Sequence, residues 1–543
     1  MPVYEEGPPE ADICFLGEAP ASIEEKMDRP FVGPTGRFFN DLLHEAGITR
    51  GSCYILNAIP ERIFKSKDDR LWFNRQGETL YVVGRGFTER GKEVVEPTIR
   101  RLLQSKANVI CPMGGAALAL SFGDHRIGKW RGSILESVPA MGNRKLVPTF
   151  HPAFILRGQY IHRYTVVSDF KRVLAESTHP ERRLPERNLL IDPTWDETIA
   201  FLEMVWNDAD EIATDIEILN RHVSCFSIAV SPWHAISIPL LDGQGHDRWS
   251  EEQEVEIWHR YAEIMNEPKI RKVNQNLLFD ITILFQQNHI FTEGIHGDPM
   301  LAHGIIYPDF PKGLDFLCSA YTREPYYKDD GKLWSKPWRD PRRFWRYNAL
   351  ESCVALEAWH ALRGELADGY QWTYDETLAL FEPLMYMMVG GVRVNLDKLR
   401  AAREKANALL REKEAALAAV AERPFNPTSP KQCQEYFYVT KGIKPYTSLK
   451  TGNITTDDQA MARIFKRFNL PEAKLVQEIR GLRKLIGTYL EVTYDSDQRI
   501  RCAYNPRGTT SGRLSSQETV YGTGMNMQNL DPAFKDFLEA DPL

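Results

Sequence analysis

Ala213-Thr214-Asp215-Ile216-Glu217-Ile218 sets two acids into a β-branched run. Residues of this kind favour a buried strand. Strand side chains alternate between faces, so Asp215 and Glu217 emerge together on one side. Two carboxylates side by side in a mostly apolar strand repel each other and are costly to bury unless a cation lies between them. Oxygen ligands suit Mg²⁺ or Mn²⁺. The alternative is a strand end whose acids reach water, and the choice depends on what the chain brings to the same place.

Downstream, Asn276-Leu277-Leu278-Phe279-Asp280 lies in a helix-compatible run. Its polar ends, four residues apart, share a helical face. Tyr347-Asn348-Ala349-Leu350-Glu351 repeats that spacing inside a helical pattern from Tyr347 to Trp359. One strand and two helices can therefore deliver Asp215, Glu217, Asp280 and Glu351 with a phenol beside them. In order and spacing, the region from about Leu189 to Leu362 resembles the proofreading 3′-5′ exonucleases attached to family A DNA polymerases. Their pattern is Asp-x-Glu, Asn-x-x-x-Asp, Tyr-x-x-x-Asp; here the last acid is Glu351, one methylene longer. The resemblance implies a ribonuclease H-like exonuclease domain. It also implies two Mg²⁺ or Mn²⁺ ions held by Asp215, Glu217, Asp280 and Glu351, a water oriented by Tyr347, and phosphodiester hydrolysis by two-metal displacement. Asp298, in Gly297-Asp298-Pro299-Met300, matches a further acid that supports the family's site from outside it.

A chain of 543 residues is too long for one core and predicts an α/β protein of several domains. Its 43% hydrophobic and 26% charged residues are those of an ordinary globular protein. A net charge of -7 argues against a generally basic nucleic-acid binder, so DNA contact must come from local patches. Eight cysteines lie far apart with no Cys-x-x-Cys pair, which predicts neither a zinc site nor an iron-sulfur cluster and fits a reducing cytoplasm, bacterial or of a phage-infected cell. The start Met-Pro-Val-Tyr-Glu-Glu has no secretion pattern, and no run reaches the roughly 18 apolar residues of a membrane span, so no membrane partner is expected.

From Ala11, strands (Ile13–Leu16, Tyr54–Asn57, Val109–Met113) alternate with helices (Arg37–Ala46, Thr98–Gln104, Ala116–Phe122), separated by a long polar excursion through Arg90. That alternation predicts a doubly wound α/β layer with ligands at the carboxyl ends of the strands. Gly17-Glu18-Ala19-Pro20-Ala21, with Arg29-Pro30-Phe31-Val32-Gly33, is similar to the first motif of family 4 uracil-DNA glycosylases. Thr149-Phe150-His151-Pro152-Ala153 is similar to their last motif. The resemblance, over about Ala11 to Leu174, implies a uracil pocket. In it Phe31 stacks on a flipped base, Asn57 bonds its edge, His151 stabilises charge on the leaving base and Glu18 lies beside the attacked sugar carbon. The family's iron-sulfur cysteines are missing, Glu61 standing where one would follow Asn57, and Ala21 replaces a loop glycine. Excision of uracil and mere sensing of it both remain open.

Ser177 to Arg187 is polar, broken by two prolines, and reads as a linker. Lys328 to Arg343 is unassigned. Beyond Gly364 come Val392-Arg393-Val394-Asn395, a long helix Leu396–Ala421, then Phe425-Asn426-Pro427-Thr428-Ser429-Pro430, Arg483-Lys484-Leu485-Ile486-Gly487 and Thr510-Ser511-Gly512-Arg513. In this order they resemble the thumb and first palm strands of family A DNA polymerases. The resemblance implies that Arg513, Asn526, Gln528 and Asn529 contact a primer-template. Arg499, Arg501, Arg507 and Arg513 form a cationic strip without an acid, and Gln517 to Gly524 is an insert of unread role. The catalytic acids of those polymerases would follow Leu543, so polymerisation is expected to need a C-terminal fragment, whether the chain is a truncated product or half of a split polymerase.

The expected organisation is thus a glycosylase-like domain (1–176), a linker (177–188), an exonuclease domain (189–364) and an incomplete thumb and palm (365–543). The function expected is that of the N-terminal portion of a replicative family A DNA polymerase with metal-dependent proofreading. The alternatives are a uracil-DNA glycosylase or sensor, and a non-catalytic primer-template clamp.

Overall fold

The structure, a computed structural model, describes residues 2–3, 5–62, 73–74, 86–87, 89–332, 340–448 and 451–541, with the side chains of 73, 74, 86, 87, 89, 90 and 533 left aside. Most of the polar excursion before Arg90, and residues 333–339 of the unassigned stretch, lie outside the described residues.

Ile13-Cys14-Phe15-Leu16-Gly17 is apolar on both faces, as a strand covered on both sides must be. Ile13 and Phe15 join Ile55, Val109 and Cys111 in one core, whereas Cys14 and Leu16 join Tyr54, Leu56 and Ile110 in another. The strands β1 (Glu5–Glu6), β2 (Ile13–Gly17), β3 (Cys53–Asn57), β4 (Val109–Pro112), β5 (Leu135–Glu136) and β6 (Lys145–Leu146) form one sheet in the order β1-β3-β2-β4-β6-β5. The central four are parallel, with antiparallel strands at the edges. Helix α1 (Pro34–Glu45) begins with Pro at its first turn and buries Phe38, Phe39, Leu42 and Leu43.

A second sheet comprises β7 (Asn188–Ile191), β8 (Glu211–Leu219), β9 (His222–Ser231), β10 (His234–Pro239), β11 (Arg271–Val273) and β12 (Ile295–Gly297), ordered β12-β11-β8-β9-β10-β7. Asp215 pairs across β8 and β9 with Ser227, and Glu217 with Cys225, before a bulge at Glu217/Ile218 shifts the register. Helix α2 (Leu277–Asn288) carries Asp280 and helix α3 (Pro299–Ile306) follows β12. The long helix α4 (Pro341–Leu366) crosses β8, β9 and β10. Small side chains let it settle: Ser227 Oγ donates to the Asn348 carbonyl at 2.9 Å, and Ser237 Oγ donates to Asn348 Oδ1 at 2.8 Å. A Cβ at Gly297 would stand 2.7 Å from the Trp359 ring, so glycine sets how closely β12 meets α4.

Asn276, expected on the face of α2, stands outside it. It is the left-handed residue (φ 63°) that starts the helix. What fixes that start is Asp298. Its carboxylate accepts from the backbone N–H groups of Asn276 and Leu277, opening α2, and of Met300 and Leu301, opening α3. Burial pushes the Asp298 carboxyl up to about 6 against the pull of those four donors.

By contacts the chain divides into Met1–Ala379 with Thr510–Gly512, and Leu380–Thr509 with Arg513–Leu543. Helix α5 (Gln371–Leu378) stacks Tyr374 on Trp359, and the Tyr374 hydroxyl donates to His296 O and accepts from Asp298 N. In the second unit, α6 (Leu396–Val420) packs on α7 (Pro471–Leu485) above a core of Tyr436, Phe437, Ile464, Val476 and Ile479. A small sheet there sets β13 (Val392–Val394) between β14 (Arg499–Ile500) and β15 (Leu538–Glu539).

Asp298→Ala leaves four backbone donors unpaired at two helix starts, and should lower the unfolding free energy by about 3 kcal/mol or more. Calorimetry on the full chain is expected to show the loss; a melting curve like that of the wild type would be incompatible with this capping role.

Candidate active sites

The parallel strands of the first sheet end together. After β2 comes Glu18, after β3's last residue Asn57 comes a turn, after β4 comes Gly114, and after β6 come Phe150 and His151. All line one cavity of about 750 Å³ with Phe31, Arg62 and Arg157. The four residues expected at a uracil pocket, Glu18, Phe31, Asn57 and His151, are therefore brought together.

Phe31 has φ 52°, a strained value for a bulky residue. Arg50 holds it there, donating to the carbonyls of Pro30 (2.8 Å) and Phe31 (3.0 Å), and Glu6 holds Arg50 at 2.5 Å. Burial raises the Glu6 carboxyl, but hydrogen bonds and charge from Arg50 and Arg29 outweigh it and leave it at about 2. The Phe31 ring stacks with His151 at 5.7 Å between centroids. A Cβ at Gly17 would stand 2.6 Å from both Asn57 Oδ1 and the Phe31 ring, so the strand end must be glycine for the two to approach. Asn57 is 2% exposed and its Nδ2 has no partner in the structure, although its backbone carbonyl is fixed by Thr98 Oγ1. His151 Nδ1 accepts from Ala153 N at 3.1 Å, which assigns the neutral ring's proton to Nε2. Burial, then the charge of Arg157, lowers His151 to about 4.

In the second sheet, Asp215 Oδ2 accepts from Asn348 Nδ2 at 2.9 Å and Asp280 Oδ1 accepts from Ile216 N at 3.1 Å. Burial and then the charge of Glu351 push Asp215 up to about 7; burial and Asp215 raise Glu217 and Asp280. Tyr347 stays protonated, raised by burial and by these acids. The expected residues Asp215, Glu217, Asp280, Tyr347 and Glu351 thus share one neighbourhood. Among them stands Lys328, its Nζ 2.5 Å from Glu351 Oε2 and 3.0 Å from Tyr347 Oη.

Among the described residues no three His, Cys, Asp or Glu side chains stand, as placed, in a group that could hold one ion. Three of the four acids have turned to a nearer partner, Glu351 to Lys328, Asp215 to Asn348 and Asp280 to the backbone. The donor set nevertheless fits hard divalent cations. Glu351, Asp215 and Glu217 lie near one ammonium, Glu351 Oε1 is buried without a partner, and the buried Asn274 amide lies beside Asp215 and Asp280.

Arg513, Asn526, Gln528 and Asn529 are exposed. Asn526 Oδ1 accepts from Ser516 Oγ and Gln528 N, which fixes the turn that bears Gln528 and Asn529. The cationic strip is corrected. Arg501 binds Asp495 and Asp497 (2.6 Å each), Arg499 binds Asp541, and Arg507 is buried, so acids outside the run absorb much of its charge. The insert Gln517–Gly524 folds as a tight turn closed by Thr519 and Thr523.

Residues 4–175 match the model of the uracil DNA glycosylase superfamily, 194–367 that of 3′-5′ exonucleases and 396–534 that of DNA polymerase family A. Type-4 uracil-DNA glycosylase of Thermotoga maritima is 30% identical over 159 residues, 29% of this chain and 72% of that protein. The chain belongs to the uracil DNA glycosylase superfamily through its first domain. It also carries 3′-5′ exonuclease and family A DNA polymerase domains. DNA polymerase I of Bacillus subtilis is 29% identical over 168 residues (29% of this chain, 18% of that protein), and the DNA polymerase of Escherichia phage T5 is 34% identical over 139 residues (23% and 16%). The chain therefore spans a small part of the polymerases it matches. A solved structure, the POL domain of Pol1 from M. smegmatis in complex with DNA primer-template and dNTP, aligns at 21% identity and TM-score 0.48, covering 65% of this chain and 57% of that one. No helix among the described residues is long and apolar enough to cross a membrane.

Arg50, Glu6 and Lys328 were not singled out by the sequence: single charged residues among many carry no spacing signal. For His151 the expectation is sharp. Because its folded pKa is lowered, its contribution to stability is present above about 6.5, the unfolded value, and is lost as pH falls towards about 4. Nitrogen-detected NMR should find a neutral, Nε2-protonated ring from pH 7 to 5; a midpoint near 6.5 would contradict the buried pocket.

Proposed function

We propose that this chain is the N-terminal portion of a replicative family A DNA polymerase, in which residues 189–364 remove nucleotides from DNA 3′ ends and residues 1–176 capture uracil. The observation that carries the reading is the meeting of Asp215, Glu217, Asp280 and Glu351 around Tyr347, where burial and neighbouring charge raise Asp215, Glu217 and Asp280. Such acids need cations, and Asp215, Glu217, Asp280 and Glu351 would hold them. Divalent ions held there would supply activation of the attacking water and charge stabilisation at the leaving oxygen. The protein's own part is positional. Asn348 aims Asp215, the β8 backbone aims Asp280, and the protonated Tyr347 hydroxyl, accepting from Lys328, keeps its proton to direct towards a water. With Mg²⁺ or Mn²⁺, labelled single-stranded DNA should be shortened from its 3′ end, and Asp215→Ala should reduce the rate by roughly 100-fold or more. Intact DNA with either ion would remove the basis for the proposal.

In the first domain, an orphan Asn57 amide, the Phe31 ring and a neutral Nε2–H on His151 face one cavity. This supports capture of an extruded base, read along its edge and stacked on one face. Full-length protein should bind uracil-containing single strands about tenfold more tightly than thymine-containing ones, and Asn57→Ala should erase the difference. Equal affinities in the wild type would reduce the domain to a scaffold, while alkali-labile sites at uracil would show excision.

Residues 365–543 are proposed to hold primer-template through Arg513, Asn526, Gln528 and Asn529. Nucleotide addition is assigned to a C-terminal polymerase segment carrying the catalytic acids, in the same polypeptide or as a partner fragment.

A further inference from the structure

We infer that Lys328 is a positioning residue of the exonuclease site, holding Glu351 and Tyr347 together and carrying one of the positive charges that the four acids require. The inference rests on the exonuclease reading above. Lys328 comes from a loop, not from the strand or helices that bear the acids, and its side chain is 27% exposed while that of Glu351 is 7% exposed. Its ammonium donates to Glu351 Oε2 (2.5 Å) and Tyr347 Oη (3.0 Å), and Asp215 and Glu217 are near enough to favour its charge.

This contact also accounts for glutamate at 351. With one methylene more than aspartate, the carboxylate engages Lys328 through Oε2 and leaves Oε1 buried without a partner, in the company of Asp215. The lysine is held from both sides. Tyr326 N donates to Ser133 Oγ at 3.2 Å and its ring meets Trp130 edge-on at 5.5 Å, while Asp329 pairs with Lys129. A segment fastened at each flank presents the ammonium to the acids without having to be ordered by substrate.

If Lys328 merely ties down a loop, removing its charge changes stability but not the site's demand for cations. If it carries part of the neutralising charge, that demand rises. Mn²⁺ binding to the full chain, without DNA, is followed by electron paramagnetic resonance for the wild type, Lys328→Met and Lys328→Arg. Lys328→Met is expected to bind Mn²⁺ about fivefold more tightly or to hold one further ion, with Lys328→Arg close to the wild type. Release of 3′ nucleotides by Lys328→Met should fall roughly tenfold and recover in part with Lys328→Arg. Unchanged or weaker Mn²⁺ binding in Lys328→Met overturns the inference, whatever the rate does. Lys328→Gln takes its place in the titration if the methionine variant does not fold. A wild type that binds Mn²⁺ but releases no nucleotide sinks the exonuclease reading, and the binding comparison still decides for or against Lys328.

Discussion

Negative charge placed where water is scarce is the constraint on which the second sheet depends. Asp215 and Glu217 share a strand face, and Asp280 and Glu351 arrive beside them 3% and 5% exposed. Burial and the neighbouring charges raise the affinity of Asp215, Glu217 and Asp280 for protons, so the cluster is unstable as four bare carboxylates. The surrounding architecture answers that repulsion by fixing geometry. Ser227 and Ser237 seat Asn348 on the sheet, Asn348 seats Asp215, and Asp298 fixes the start of the helix that brings Asp280. An ammonium from a neighbouring loop takes part of the charge.

The first sheet solves a different problem with the same economy of parts. The pocket proposed there for a base would need a flat apolar face, an unsatisfied amide and a donor that is not already charged. Parallel strands deliver all of these because their carboxyl ends lie side by side. Preorganisation has a structural cost here. Phe31 is kept in a left-handed backbone conformation by Arg50, and Arg50 by Glu6, a chain of contacts reaching back to the edge strand β1. Asn57 keeps a buried donor without a partner at the edge of the cavity, where a ligand could accept from it.

Motifs with a fixed period were legible in the sequence. Alternation placed Ile13 to Leu16 in a strand covered on both faces, and the four-residue spacing placed Tyr347 and Glu351 on one helix. Features that depend on a residue far away in the chain were not. Asn276 has the right spacing for the face of α2, yet Asp298 takes the helix's first N–H groups and turns Asn276 into the residue before it, while the less conspicuous Asn274 faces the acids. The arginine run from 499 to 507 contains no acid, but Asp495, Asp497 and Asp541 are folded onto it, so a local count of charge overstated the patch. Lys328 sat in a polar stretch with no pattern at all, since only a fold can show that a lysine 23 residues before Glu351 meets it.

The borders between the motifs are not mechanical joints. Arg131 and Asp169, 5% and 2% exposed, form a buried pair within the first domain, and the same guanidinium donates to Ser319 Oγ in the exonuclease region at 2.7 Å. Glu176, just before the expected linker, holds both Lys145 at 3.0 Å and Arg323 at 2.6 Å, and Lys145 donates to the carbonyls of His179 and Glu181 within the linker itself. Charges desolvated in this way cannot lose a partner without a penalty of several kcal/mol, so the two sheets are coupled more firmly than a polar linker would allow. The turn of helix Ile127–Trp130 makes the coupling concrete. Ile127 lines the cavity of the first sheet, while Lys129 and Trp130 grip the segment that carries Lys328 into the acid cluster.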